Sequence, residues 1–172
     1  MDNIILCNGR GQLGSAFKKL DLSFDRKLYI YHTWNFLDKG FSIQKDCYSK
    51  FINFVNRHEE DEIVFISTYS EKDNYYTYFK QLAEAYLLVN VHLSTVIRLP
   101  IIIGTGIIKE LKYGIRTPYG NLELINVNTA AEKILKIITR PWLLDCTQGN
   151  RIHRITGETI SAELATHLLT FK

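Results

Sequence analysis

The feature that most constrains this chain is a short apolar run, Ile4-Ile5-Leu6-Cys7, that breaks at once into Asn8-Gly9-Arg10-Gly11-Gln12-Leu13-Gly14. Beyond the glycines, apolar residues fall at Leu13, Ala16, Phe17 and Leu20, with Lys18 and Lys19 on the opposite side. That spacing predicts an amphipathic helix over 12–20. A buried strand, a glycine turn and a helix start together make an anion site. Glycines let the backbone come close to a phosphate, and the first helical N–H groups have no intrahelical partner.

The rest of the chain repeats the alternation. Strands are predicted at 28–31, 63–66 and 96–103, with helices over 43–57 and 75–89 between them. A weaker second half offers strands at 122–127 and 151–156 and helices over 129–138 and 161–169, the last capped by Thr159 or Ser161. The early strands are apolar on both faces, so they belong to a parallel sheet covered by helices. The fold class is therefore α/β, a Rossmann-like parallel sheet with helices on both faces, shortened and with a minimal C-terminal part. No Gly-, Pro- or Ser-rich linker and no repeat interrupts the 172 residues, which read as a single dinucleotide-binding domain with 107–172 as a reduced substrate side.

Net charge is +3, with Lys and Arg spread along the chain and no nucleic-acid-binding motif, so nucleic acid is not an expected partner. Cys7, Cys47 and Cys146 are odd in number and far apart, as expected of thiols in a reducing cytoplasm. The N-terminus has no basic segment ahead of an apolar stretch, and no apolar run approaches the ~20 residues of a membrane span. The five histidines, His32, His58, His92, His153 and His167, show no metal-ligand spacing, and no metal is expected.

Past the third strand stand Ser67 and Thr68, then Tyr76, and four residues on, Lys80. Tyr-x-x-x-Lys puts a phenol and an ammonium on one helical face. A phenol titrates near ~10 and is a poor base at neutral pH unless a neighbouring cation lowers that value. The glycine turn and this pair together resemble the extended short-chain dehydrogenase/reductase family, in the branch of the GDP-fucose synthases and dTDP-dehydrorhamnose reductases. The family's Gly-x-x-Gly-x-x-Gly falls on Asn8, Gly11 and Gly14. Lys80-Gln-Leu-Ala-Glu84 is similar to its Lys-x-x-x-Glu helix, and Arg98-Leu-Pro100 followed by Gly104 and Gly106 to its Arg-x-Pro strand. Asn128 and Thr129 replace the Asp pair that the family carries at that step.

The resemblance implies a cofactor held by Asn8, Gly9, Arg10, Gly11, Gln12, Leu13 and Gly14, with His32 at the second strand's end and Pro100 beside the nicotinamide. It implies catalysis by Tyr76 and Lys80, with the hydroxyl of Ser67 or Thr68 holding the substrate oxygen. NADP is expected over NAD, because Tyr31-His32-Thr33-Trp34 carries no carboxylate for a ribose and Arg10 can pair with a 2′-phosphate. Two functions stay open. One is an NADP-dependent reductase, epimerase or dehydratase of a nucleotide-activated sugar, in the cytoplasm. The other is a dinucleotide-binding or assembly subunit of polysaccharide biosynthesis without catalysis. Tyr78, Leu82, Tyr86 and Val89 lie along one side of the 75–89 helix, as a homodimer face or as ordinary core. The chain is well over 100 residues shorter than full members, and the gap is expected between the second strand and Ile63.

Overall fold

The computed structural model describes residues 4–7, 11–20, 27–70, 72–103, 111, 113–114, 120–139 and 151–170. Three strand–helix steps and a fourth strand open the described chain: β1 (Ile4–Cys7), α1 (Gln12–Phe17), β2 (Leu28–Tyr31), α2 (Phe41–Val55), β3 (Glu62–Thr68), α3 (Tyr75–Asn90) and β4 (Ser94–Leu99). Then come β5 (Ile101–Ile102), β6 (Asn121–Ile125), α4 (Val127–Ile138), β7 (Arg151–Arg154), β8 (Glu158–Ser161) and α5 (Ala162–Thr170). Strands β1, β2, β3, β4 and β7 pair in that order, all parallel. A smaller sheet holds β5, β6 and β8, with β6 and β8 antiparallel.

Alternation along each strand sends successive side chains to opposite faces and builds two cores. On one face Leu28, Ile30, Val64, Ile66, Ile97 and Leu99 meet α1 through Phe17 and α4 through Ala130, Ile134 and Ile138. On the other, Tyr29, Tyr31, Ile63, Phe65 and Val96 meet α2 through Phe51 and Val55 and α3 through Ala83 and Leu87. Asn74 caps α3 by accepting from the Thr77 N–H at 3.0 Å, and Asn126 caps α4 from the Asn128 N–H at 2.9 Å. Ser161 rather than Thr159 caps α5, accepting from Leu164 N–H at 3.1 Å.

The single strand expected over 96–103 is split. Pro100 has no N–H for a ladder, so β4 ends before it and β5 continues in the second sheet. Strand β8 lay outside the sequence reading, because Glu158–Ser161 shows no apolar alternation and is fixed by pairing with β6.

The position of β2 is a further difference. In a dinucleotide-binding sheet of order 3-2-1-4-5-6, the second strand lies outside the first. Here β2 lies between β1 and β3, leaving β1 at the margin. The shortening therefore falls before β2, not between β2 and Ile63 as the sequence suggested. The steps β1–α1–β2 and β2–α2–β3 advance in the same direction across the sheet, yet α1 and α2 cover opposite faces. The two crossovers are consequently of opposite hand, and one has the rare left-handed sense.

Residues 32–40 lie over the carboxyl ends of the strands and are held by a buried side chain. Gln44, fully buried on α2, accepts from Trp34 Nε1 at 2.7 Å and donates Nε2 to the Asn35 carbonyl at 2.7 Å and to the Asp38 carbonyl. Replacing Gln44 with Leu leaves the indole N–H without its acceptor and both carbonyls without their donor. The expected loss is about 3 kcal/mol in a denaturant titration followed by Trp fluorescence; a loss below about 1 kcal/mol would remove Gln44 as the anchor of this segment.

Candidate active site

The turn between β1 and α1 begins the site. Gly11 is the N-cap of α1 with φ +94°, a left-handed backbone that glycine adopts without strain, and nothing lies within 4 Å of where a Cβ would stand. Gln12, Leu13 and Gly14 form the first turn, with Leu13 and Gly14 buried. Helix α1 is six residues long, against the nine anticipated, so its terminal dipole is weak. Asn8, Gly9 and Arg10 lie outside the described residues, as do Gly104 and Gly106.

The Tyr and Lys pair stands two strands away, on α3. Lys80 is buried, and its Nζ donates to the Ile66 carbonyl of β3 at 2.6 Å. Three rings surround the amine: Phe65 at 4.6 Å from Nζ to the ring centroid, Trp34 at 4.9 Å and Tyr76 at 5.9 Å. Burial pushes the Lys80 pKa down to about 7, against which the Glu84 carboxylate works to raise it. Burial acts on Tyr76 in the opposite direction, pushing its phenol up to about 12. Charge is disfavoured on both groups for one reason, the removal of water.

Ser67 sits one residue beyond Ile66 on β3, buried, and its Oγ has no hydrogen-bond partner. His32 follows β2, and its Nε2 is likewise buried without a partner. Its pKa is lowered, first by burial and then by the charge of Lys80. A buried polar atom left unmade costs about 1–3 kcal/mol, so two of them beside a buried amine mark a place where a polar ligand would gain bonds. Thr68, by contrast, uses its Oγ1 locally, accepting from the Ser70 N–H at 3.2 Å. Pro100 is half-buried between β4 and β5.

The structure thus brings His32, Ser67, Tyr76 and Lys80 together at the carboxyl ends of β2 and β3. The glycine turn lies at the same end of the neighbouring β1. Helix α3 also carries Glu84, buried, which accepts from Arg98 Nε at 3.1 Å and Nη2 at 2.5 Å. Both residues were visible as motif members, yet their pairing was not, since they stand on separate elements. Trp34 over Lys80 was also missed, and an aromatic directly after a strand end is the signal that could have revealed it.

A nicotinamide dinucleotide, the group that such a fold implies, finds only part of its site among the described residues. The open Gly11 turn suits a pyrophosphate, and the unpaired Ser67 Oγ and His32 Nε2 suit the polar end beyond it. No described strand lies outside β1, where a second strand would present a residue to the adenosine ribose.

The fold defines the class, a Rossmann-like α/β protein, and solved structures of that architecture include sugar-nucleotide reductases and epimerases. A hypothetical dTDP-4-dehydrorhamnose reductase from Sulfolobus tokodaii superposes with a TM-score of 0.68 at 18% identity, over 98% of this chain and 81% of that one. A dTDP-4-dehydrorhamnose reductase from Bacillus anthracis, solved in complex with NADP, gives 0.71 at 13% identity over 98% and 79%. The Bordetella bronchiseptica enzyme WbmG, in complex with NAD and UDP, gives 0.72 at 13% identity over 97% and 77%. At these identities the likeness establishes the fold. No protein-family model and no curated protein matches the chain. Among the described residues, no helix is long and apolar enough to cross a membrane.

Proposed function

We propose that the protein is a nicotinamide-dinucleotide-dependent oxidoreductase or epimerase acting on a nucleotide-activated sugar in the cytoplasm. The observation that carries this reading is the buried Lys80 amine beside Tyr76 and the unpaired Ser67 hydroxyl, at the carboxyl ends of adjacent parallel strands. The solved neighbours with this fold include a reductase holding NADP and an enzyme holding NAD and UDP, which supports the cofactor class and the nucleotide-bearing substrate. NADP is preferred on the sequence grounds of Arg10 and the absence of a carboxylate after β2.

In this reading Asn8 to Gly14 hold the pyrophosphate, and His32 and Pro100 border the cofactor. The bound cofactor supplies or accepts a hydride. Ser67, with Thr68 beside it, holds the oxygen of the reacting carbon. Tyr76, protonated at neutral pH, gives a proton to that oxygen in the reducing direction. Lys80, titrating near neutrality, restores the proton and fixes the height of the ring above β3.

The test is nicotinamide fluorescence on titration with NADPH and NADH, followed by turnover with candidate nucleotide sugars. Tyr76→Phe should keep cofactor binding and lose at least about a hundredfold in turnover. Undiminished turnover in that variant would sink the assignment of Tyr76. A second reading rests on the marginal position of β1 and the short α1: a subunit of polysaccharide biosynthesis that assembles with partners and does no chemistry. It takes the lead if neither dinucleotide binds.

A further inference from the structure

We propose that the carboxyl ends of β3, β4 and β7 form an anion site that takes a phosphoryl group, beside the cluster around Lys80 and Tyr76 and bordering it at Thr68. A cavity of about 240 Å³ opens there, lined by Thr68 at the end of β3, Tyr69 and Ser70 after it, Gln81 on α3, Arg98 on β4, and Ile152 and Arg154 on β7. That volume holds a tetrahedral oxyanion and several waters, each water occupying roughly 30 Å³.

The two arginines are direct neighbours. Arg98 on β4 and Arg154 on β7 are register partners of adjacent parallel strands, so their side chains leave the sheet side by side on one face. Like charges placed opposite each other on neighbouring strands repel and destabilise a sheet. Each charge has its own carboxylate. Glu84 takes Nε and Nη2 of Arg98, and Glu123 accepts from Arg154 Nη2 at 3.2 Å while also accepting from the Gly157 N–H at 2.7 Å. Neither carboxylate lines the cavity. Each one holds a guanidinium from outside the cavity, and these bonds use fewer than the five N–H donors that each arginine has.

A third contact fixes Arg154: its Cζ lies 4.0 Å from the centroid of the Tyr69 ring. Burial, then Glu123, raises the Tyr69 pKa, so its hydroxyl remains a proton donor at neutral pH. Two preset guanidiniums and the hydroxyls of Tyr69 and Ser70 make a donor-rich lining. Planar forks of this kind bind phosphate oxygens in pairs. The site needs no dinucleotide, so it stands or falls apart from the function proposed above.

The experiment is calorimetric titration of the full chain at low salt with inorganic phosphate and, separately, with UDP, for wild type, Arg154→Gln and Arg154→Lys. The Arg154 side chain is 58% exposed, so both variants should keep the fold, and a thermal melt checks this. Wild type should bind, with affinity falling as salt rises. Arg154→Gln should weaken binding at least tenfold and Arg154→Lys by less. Phosphate and UDP both weakened would assign the site to a nucleotide's phosphates, and phosphate alone to a free oxyanion. Binding of neither ligand, or equal binding in wild type and Arg154→Gln, overturns the proposal. Dinucleotide fluorescence should be the same in all three proteins, which separates this result from that of the cofactor test.

Discussion

Replacing Lys80 with Met should make the protein more stable at neutral and acidic pH while abolishing turnover. The Lys80 pKa falls from the ordinary 10.5 to about 7 on folding, because the amine is buried. Between those values the unfolded chain binds the proton that the folded chain has released, so stability rises with pH from about 7 to about 10. Below pH 7 both states are charged and the folded state carries the whole penalty, about 5 kcal/mol from the size of the shift. Met removes that penalty with a side chain of similar shape, and leaves the Ile66 carbonyl without its donor, a cost of about 1–2 kcal/mol. The net gain is about 3 kcal/mol at pH 6, shrinking to nothing or a small loss near pH 10. Urea titrations of both proteins at pH 6, 8 and 10 measure it. Parallel behaviour of the two across that range would mean that the amine keeps its proton inside the fold, and the acid–base role given to Lys80 would go with it. A residue that destabilises its own fold and is required for turnover is what a functional lysine looks like.

Gly157→Ala should be the most damaging small substitution among the described glycines. A Cβ at Gly157 would stand 2.1 Å from the Leu124 carbonyl oxygen and 2.7 Å from its carbon. Both are backbone atoms of β6, which is paired with β5 on one side and β8 on the other. A backbone so held cannot give way as a flexible side chain would. The turn into β8 must move instead, which also lengthens the bond from the Gly157 N–H to Glu123. Overpacking of this kind costs about 3 kcal/mol, at the upper end of what core insertions show. The second sheet should loosen first, since Leu124 and Ala165 are the buried residues that join β6 to α5. A thermal melt within two degrees of wild type would show that β8 can shift freely.

The sequence carried the alternation of the first half and lost precision in the second. Ile4–Cys7 and Leu28–Tyr31 are apolar runs with clear breakers, and both strands lie where they were expected. The helix expected over 43–57 begins two residues earlier, at Phe41, because Gly40 rather than a capping side chain opens it. Pro100 was read as part of a family motif, although its missing N–H was the stronger message and divides one strand between two sheets. The order of strands was beyond reach, since periodicity reports that a strand is buried but not who its neighbours are. The same limit applies to the site. Tyr76 and Lys80 share a helical face and can be paired by counting. The meeting of Arg98 with Arg154 depends on register between strands 56 positions apart, which no local pattern records.

The marginal place of β1 also has a dynamic consequence. A strand with one neighbour among the described residues, followed by a helix of six residues, forms a unit that can open while the four other described strands of its sheet stay paired. Any ligand that grips the turn at Gly11 binds only the closed form, so part of its binding energy goes into closing that unit. Occupancy would then be read in the exchange rates of the β1 amides before it is read anywhere else, and the chain would report its ligand by becoming quieter at one edge.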